Sequence, residues 1–160
     1  MLIVAKLKRL ICEQYAQMSK IFYNSSKIKI GDANMLEKYY KLKIKYLDYL
    51  LLFKRGNFYY CYKEDAYIIH YFFDYKLNND TVAFSIDALD KVLNILNDNN
   101  IGYIIYDNFI LDKVYGDSEK YSYFNNLSLE LIGREVVINN INNRLKNYTL
   151  NELLKLVSTM

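Results

Sequence analysis

The chain has 160 residues, of which 52% are apolar and 24% charged, and these proportions indicate one globular domain with a small extension rather than a disordered or fibrous protein. Its net charge of +3 is too small to indicate a nucleic-acid partner by itself. Two cysteines, Cys12 and Cys61, and a longest apolar run of only residues 49–53 exclude a disulfide scaffold, a zinc finger and a membrane-spanning helix, so we expect a cytoplasmic protein with no membrane partner.

Two helices are predicted before the first strand. Over residues 2–22 apolar side chains recur every three or four positions, as in an amphipathic helix that either packs on the domain or mediates dimerisation. They are Val4, Leu7, Ile11, Met18 and Ile21. Residues 31–34 favour a turn, and we expect Asp32 or Asn34 to cap a second, lysine-rich helix over about residues 35–46.

A β-hairpin is predicted next. Residues 49–53 form a short, continuous apolar run, which is typical of a strand buried on both faces. Residues 55–57 favour a turn, and residues 58–62 form an aromatic strand. The two acidic residues that open the segment 64–73 favour a helix N-terminus, since carboxylates are stabilised there.

Strands and helices alternate in the middle of the chain. We predict a strand over residues 81–84, a helix from Ser85, its N-cap, to about residue 97, and a strand over residues 103–106. The helix is the clearest of the chain, because its apolar residues form a single stripe with polar residues opposite. Residues 109–115 are expected to add an edge strand.

From residue 118 the pattern becomes helical, and apolar residues keep heptad spacing. They are Phe124, Leu127, Leu131, Ile138, Ile141 and Leu145. Arg134 occupies one expected apolar position, and Gly133 weakens the middle of the helix. Thr149 and Glu152 form a capping box, which predicts a last helix over residues 150–157.

The order of the elements predicts a mixed α/β (α+β) fold, in which a small mixed β-sheet is surrounded by helices. We divide the chain into a helical N-terminal extension (residues 1–33), an α/β domain (residues 34–116) and a helical C-terminal extension (residues 117–160).

Charge is distributed unevenly along the chain. The first 63 residues carry thirteen basic and four acidic side chains, whereas residues 64–120 carry four basic and eleven acidic ones. A polyanion would be attracted to a surface built by the first segment. Alternatively, the two segments face each other in the fold and neutralise one another.

Nothing in the sequence points to catalysis. The five glycines are scattered singly and match no phosphate-binding loop. Neither cysteine flanks a histidine, and the single histidine, His70, lies in an aromatic run, where we expect it to be packed and hydrogen-bonded. Glu64 and Asp65 are neighbours in sequence and do not face each other on a helix. We therefore expect a protein that is not an enzyme and has no cofactor, metal or nucleotide.

One segment carries a resemblance. Residues 46–66 read YLDYLLLFKRGNFYYCYKEDA, and they resemble the N-terminal, mismatch-recognition domain (domain I) of the MutS family of DNA mismatch repair proteins. Residues 82–93 and 101–107 are similar to the strand-to-helix segment and the following strand of that domain. The resemblance implies a MutS domain I-like fold for residues 34–116, in a free-standing module.

In the MutS family the phenylalanine of an F-x-E motif wedges into the duplex beside a mispaired base, to which the glutamate hydrogen-bonds. By position, the resemblance implies that Phe58 is the wedge and that Tyr60 replaces the glutamate. Asn57 replaces an aspartate, so two negative charges beside the wedge are lost, which favours general DNA affinity over base discrimination. The candidate DNA-binding residues are Phe58, Tyr59, Tyr60, Asn57, Arg55, Lys54 and Lys63.

The sequence thus predicts a non-enzymatic DNA-binding module. It would recognise mismatched, distorted, branched or single-stranded DNA through an aromatic wedge on a hairpin, as an accessory in repair, in replication or in the transfer of a mobile element. The alternative is a protein-interaction module that keeps the fold without reading DNA and forms a homo-oligomer through its terminal helices.

Overall fold

The structure, a computed structural model, describes residues 30–146 and 148–159, without the side chains of residues 30–33 and 156. In chain order its elements are α1 (Ile30–Lys45), β1 (Leu50–Arg55), β2 (Phe58–Tyr62), α2 (Lys63–Phe73), β3 (Thr81–Ser85), a 3₁₀ turn (Ile86–Ala88), α3 (Leu89–Asp98), β4 (Tyr103–Asp107), β5 (Phe109–Val114), α4 (Ser118–Leu145) and α5 (Leu150–Ser158). The helix predicted over residues 2–22 lies outside the described residues.

The strands form one mixed sheet in the order β3-β2-β1-β4-β5. Strands β1 and β4 pair in parallel, whereas every other neighbouring pair is antiparallel. The predicted mixed α/β fold is therefore confirmed. Because β1 and β4 run in the same direction, the turn after β1 (Gly56 and Asn57) and the turn after β4 (Asn108) lie at the same edge of the sheet, which we call the turn edge.

Helices cover both faces of the sheet. On one face, side chains of the strands pack with residues of α2, α3 and α4 in the larger core cluster, which contains Leu50, Leu52, Tyr59, Cys61, Ala66, Ile68, Ile69, Val82, Phe84, Val92, Leu96, Ile101, Tyr103, Ile105 and Tyr121. On the other face α1 contributes Tyr39 and Tyr40 to a smaller cluster with Leu51, Phe53, Tyr62 and Ile104. Strand β1 is thus apolar at successive positions because it is buried on both sides.

A buried ionic cluster joins α1, β1, α2 and α4. The Lys43 ammonium donates hydrogen bonds to Asp65 Oδ1, to the Tyr121 hydroxyl and to the Tyr49 carbonyl, each at 2.7 Å. Asp65 also accepts from the Tyr121 hydroxyl at 2.6 Å and from the Leu51 amide at 3.0 Å. Both ions are buried and fully hydrogen-bonded, which is the condition under which buried charges are tolerated.

Two predicted helix starts are wrong. The described residues begin within helix α1, at Ile30, and the predicted turn over residues 31–34 is helical, because a single glycine does not by itself end a helix. Ser85 makes no side-chain capping bond, and a 3₁₀ turn separates it from α3. Ser85 is instead the last residue of β3, and the next amide, that of Ile86, donates to the carbonyl of Asn57.

Helix α4 has 28 residues, which corresponds to about 42 Å at 1.5 Å per residue. It packs on α2, where Phe124 contacts Phe72 and His70 contacts Glu135. The prediction that His70 is packed and hydrogen-bonded is confirmed, since the ring is buried and its Nδ1 also lies 2.8 Å from the Tyr75 carbonyl oxygen.

The predicted capping box of the last helix is present at the start of α5. The Thr149 amide donates to Glu152 Oε2 at 2.7 Å, and the Glu152 amide donates to Thr149 Oγ1 at 3.4 Å. The division of the chain at residues 34 and 117 stays a prediction.

Candidate nucleic-acid interface

The β1–β2 hairpin has a two-residue turn, since Arg55 pairs directly with Phe58. Gly56 takes the first turn position with a φ of +57°, where an L side chain is strained and glycine is not. The second position, Asn57, is exposed, and its carbonyl accepts the Ile86 amide at 2.9 Å. The turn is therefore anchored to the end of β3, and this fixes the start of β2.

Phe58 is the first residue of β2, and its side chain is 48% exposed. It pairs across the sheet with Arg55 on one side and with Ser85 on the other. Strand alternation places it on the face that α1 covers, with Tyr60 and Tyr62. The ring therefore lies at the turn edge on a backbone that is hydrogen-bonded from both neighbouring strands.

Arg55 and Tyr60 lie beside Phe58. The Arg55 guanidinium lies 5.4 Å from the centroid of the Tyr60 ring, as in a cation–π contact. Arg55 is exposed, and Tyr60 is half-buried against the α1 face of the sheet. The residue that the resemblance predicts at the family's glutamate position is thus a tyrosine whose ring lies beside an arginine.

Two of the predicted contact residues lie elsewhere. Tyr59 is 4% exposed and stacks on Phe84, because alternation turns it into the larger core. Lys63 follows the other end of β2, about 16 Å from Phe58 at 3.3 Å per residue. Its ammonium pairs with Asp80 at 2.7 Å. The structure therefore brings Arg55, Asn57, Phe58 and Tyr60 together at the turn edge and places Tyr59 and Lys63 outside that group.

Several lysines of the basic segment face acidic residues of the following segment. Lys54 lies 4.0 Å from Asp107, and the pairs of Lys43 with Asp65 and Lys63 with Asp80 are tighter. The alternative that the two segments neutralise each other therefore holds in part. The positive charge at the turn edge is smaller than the segment totals alone indicate.

A cleft of about 310 Å³ opens at the turn edge, between α1 and the ends of β1 and β4. It is lined by Met35, Lys38, Lys54, Arg55, Gly56, Tyr106, Asp107 and Asn108. Sequence reasoning missed Lys38 and Asn108 as site residues. Lysines recur along α1, and only the packing of the helix on the sheet shows that Lys38 is the one beside the hairpin.

Among the described residues, no group of three or more histidine, cysteine, aspartate or glutamate side chains is placed to hold a metal ion. Burial raises the pKa of the Cys61 thiol well above its usual range, and Asp65 adds to this effect. The thiol is therefore protonated at neutral pH and enclosed in the core. In the part of the chain that the structure describes, no helix is long and apolar enough to cross a membrane.

Comparison with known proteins gives one family. Residues 33–92 match the family model of MutS domain I. The match begins within α1, includes the hairpin, α2 and β3, and ends within α3. The resemblance predicted from residues 46–66 is confirmed, and the mixed five-stranded sheet with its helices is consistent with a MutS domain I-like fold. No curated protein sequence matches the chain.

MutS domain I is the mismatch-recognition domain of its family and is not catalytic, so the match supports DNA binding in general. Phe58 and Tyr60, which the resemblance predicts at the phenylalanine and glutamate positions of the family motif, both lie within the matched residues.

Proposed function

We propose that this protein is a non-enzymatic DNA-binding module that recognises mismatched, distorted, branched or single-stranded DNA through Phe58. The observation that carries the proposal is the half-exposed ring of Phe58, held at the turn of a hairpin within the residues that match MutS domain I. Such a module would act as an accessory in DNA repair, replication or the transfer of a mobile element.

The chemistry of the hairpin favours recognition of weakened base stacking over recognition of a particular base. An aromatic ring that stacks on a base contributes about 1–3 kcal/mol, whichever base it meets. Insertion between base pairs costs unstacking energy, which is smallest where the stack is already interrupted. Tyr60 presents no carboxylate to a mispaired base, and Arg55 adds positive charge beside the ring. We therefore expect preference for distorted DNA with little dependence on the identity of the mismatch.

A fluorescence-anisotropy titration tests this proposal. Homoduplex, mismatched, forked and single-stranded probes are titrated with the wild-type protein and with Phe58→Ala at two salt concentrations. The matched control is Tyr123→Ala, since Tyr123 is an exposed aromatic residue of similar accessibility on α4. We expect binding that weakens with salt, and a loss in Phe58→Ala of about 5- to 150-fold on distorted probes, equivalent to about 1–3 kcal/mol.

On regular duplex the loss in Phe58→Ala should be smaller, and Tyr123→Ala should bind as the wild type does. Equal affinity of Phe58→Ala and wild type on every probe would refute the wedge. Failure of the wild type to bind any probe at low salt would refute the DNA-binding function itself.

A second candidate function is self-association through α4, with a second copy of the chain as the partner. Beyond Glu135, which contacts α2, the helix exposes Val136, Val137, Ile138 and Ile141, each by 50–56%. Monomeric proteins rarely expose contiguous apolar patches above a few hundred Å². Among the described residues nothing covers this part of α4, and its heptad spacing is that of a helix that pairs with another helix.

The charges of α4 favour an antiparallel pair of copies. Arg134 occupies a heptad position in the stripe and pairs with Glu130 on its own helix. A parallel pair in register would bring the two copies of Arg134 together in one layer, whereas an antiparallel pair separates them.

Light scattering across micromolar concentrations tests this candidate, with Ile138→Asp as the disrupting variant and Asn143→Asp as the control. The two substitutions place the same side chain on different faces of the exposed helix. A dimer that only Ile138→Asp dissociates would support self-association, and a wild-type monomer at 100 µM would exclude it.

A further inference from the structure

The cleft at the turn edge adjoins the Phe58 ring. One wall is the α1 segment that carries Met35 and Lys38, and the other is formed by the ends of β1 and β4. Arg55 lines the cleft and is also the direct cross-strand partner of Phe58. The Cα atoms of two residues paired across strands, such as Arg55 and Phe58, lie about 5 Å apart. This distance corresponds to one or two base-pair steps, since each step along a DNA duplex is about 3.4 Å. A strand whose base met Phe58 would therefore pass the mouth of the cleft.

The charges that line the cleft are unequal. Lys54 and Asp107, which also contribute to the lining, lie 4.0 Å apart and by strand alternation point away from α1. Lys38 and Arg55 are therefore the cations of the lining on the α1 side. Lys38 is half-buried and makes no ion pair with any described residue. A cation in such a position is stabilised by an anionic ligand, and none of the described side chains provides one.

The remaining groups indicate which anion fits. Gly56 has no side chain, and an added Cβ there would meet no atom within 4 Å, so the wall beside Arg55 is open to a ligand. The single aromatic ring in the lining, that of Tyr106, packs against Phe53 with 5.4 Å between the ring centroids, and its hydroxyl donates to the Asn108 carbonyl at 2.9 Å. The lining therefore offers cations and an open backbone turn rather than a stacking platform, and this suits a phosphate group better than a base.

We propose that the cleft binds the phosphodiester backbone of the DNA strand next to the Phe58 wedge, with Lys38 of α1 as a phosphate contact. This inference rests on the proposed function of Phe58 and adds a role to a helix outside the hairpin. The wedge would read the distortion, whereas Lys38 and Arg55 would hold the strand on which the distortion lies. Phosphate contacts fix position without reading sequence.

The test compares Lys38→Gln with Lys41→Gln. Both substitutions remove one positive charge from α1, but Lys41 does not line the cleft and pairs with Glu37 at 2.6 Å. Dissociation constants are measured for wild type and both variants on a mismatched duplex and on a homoduplex, at salt concentrations from 50 to 200 mM. Circular dichroism verifies that each variant is folded.

Each phosphate contact contributes about −0.9 to the slope of the logarithm of the association constant against the logarithm of salt concentration, so Lys38→Gln should have a slope less steep by about 0.9. The ratio of wild-type affinity to Lys38→Gln affinity should therefore fall about 3.5-fold between 50 and 200 mM salt. The weakening should be the same on both probes, in contrast to the probe-dependent loss in Phe58→Ala. Lys41→Gln should keep the wild-type slope.

Equal slopes and affinities for Lys38→Gln and Lys41→Gln would overturn the phosphate site. If Phe58→Ala still lost affinity for distorted DNA in that case, the proposed function would stand without it. Absence of any DNA binding by the wild type would overturn both.

Discussion

Replacement of Lys43 by methionine tests the buried ionic cluster. The variant keeps the apolar stem of the side chain but removes the ammonium that contacts Asp65, Tyr121 and Tyr49. Removal of one partner of a buried ion pair costs about 3–5 kcal/mol. Asp65 would retain its bonds from Tyr121 and from the Leu51 amide, so we expect a loss near the lower value, about 3 kcal/mol.

The free energy of unfolding is measured by urea denaturation followed by circular dichroism. With an m-value of about 1.5 kcal/mol/M, a loss of 3 kcal/mol lowers the urea midpoint by about 2 M. Lys45→Met is the control, because Lys45 is exposed on the same helix and such substitutions change stability by about 0.5 kcal/mol at most. The double variant Lys43→Met/Asp65→Asn should be more stable than Lys43→Met, since no unpaired carboxylate remains buried.

The loss should also depend on pH. Burial raises the pKa of Asp65, and the Lys43 ammonium opposes that rise. In Lys43→Met the pKa therefore lies further above its unfolded value, and a group of this kind stabilises the fold at low pH and ceases to do so as pH rises through the folded pKa. The deficit relative to wild type should be larger at pH 8 than at pH 5. A loss below about 1 kcal/mol that is equal at both pH values would refute a buried pair here.

Four further predictions concern three glycines and His70. Gly116→Ala should destabilise the fold by more than about 3 kcal/mol, since its Cβ would overlap the backbone before β4, whereas Gly133→Ala should stabilise it by about 0.5–1 kcal/mol, because the site is open and helical. Gly56→Ala should cost about 1–2 kcal/mol from backbone strain at its positive φ alone. Burial lowers the pKa of His70, but hydrogen bonds to a carbonyl and to Glu135 outweigh it and raise the pKa overall, so Glu135→Gln should cost more stability at pH 6 than at pH 8.5. Chemical denaturation measures all of these, and a neutral Gly116→Ala, a stabilised Gly56→Ala or a pH-independent Glu135→Gln would contradict the respective reasoning.

The local patterns of the chain predicted most of the sheet. The continuous apolar run at β1 indicated burial on both faces. In the structure α1 covers one face of the sheet, and α2, α3 and α4 cover the other. The start of α1 was wrong because turn-forming residues weaken a helix without excluding it. The contacts of Lys43 with Asp65 and Tyr121 could not be predicted, since they join residues 22 and 78 positions apart and depend on which side of α1 faces the sheet.

At the candidate site, Phe58 was predicted from the resemblance and Arg55 from its place next to the turn, and the structure places both at the turn edge. The burial of Tyr59 could have been predicted, because neighbouring residues of a strand point to opposite faces and only one of Phe58 and Tyr59 can be at the surface of this hairpin. The role of Lys38 could not be predicted, because the four lysines of α1 are alike in sequence and only the packing of the helix places Lys38 beside the hairpin and buries Lys43.

The parallel pairing of β1 with β4 has a mechanical consequence. The hairpin and both strand-borne parts of the cleft wall are joined through β1, which is hydrogen-bonded to a strand on each side, so these parts of the proposed binding surface belong to one continuous sheet. If DNA is the ligand, nearly all of the deformation on binding must come from the nucleic acid. The affinity for a DNA site would then depend on how easily that site bends. Nicked, gapped or flexible pyrimidine–purine sites would bind more tightly than stiff A-tracts, even where no base is mispaired.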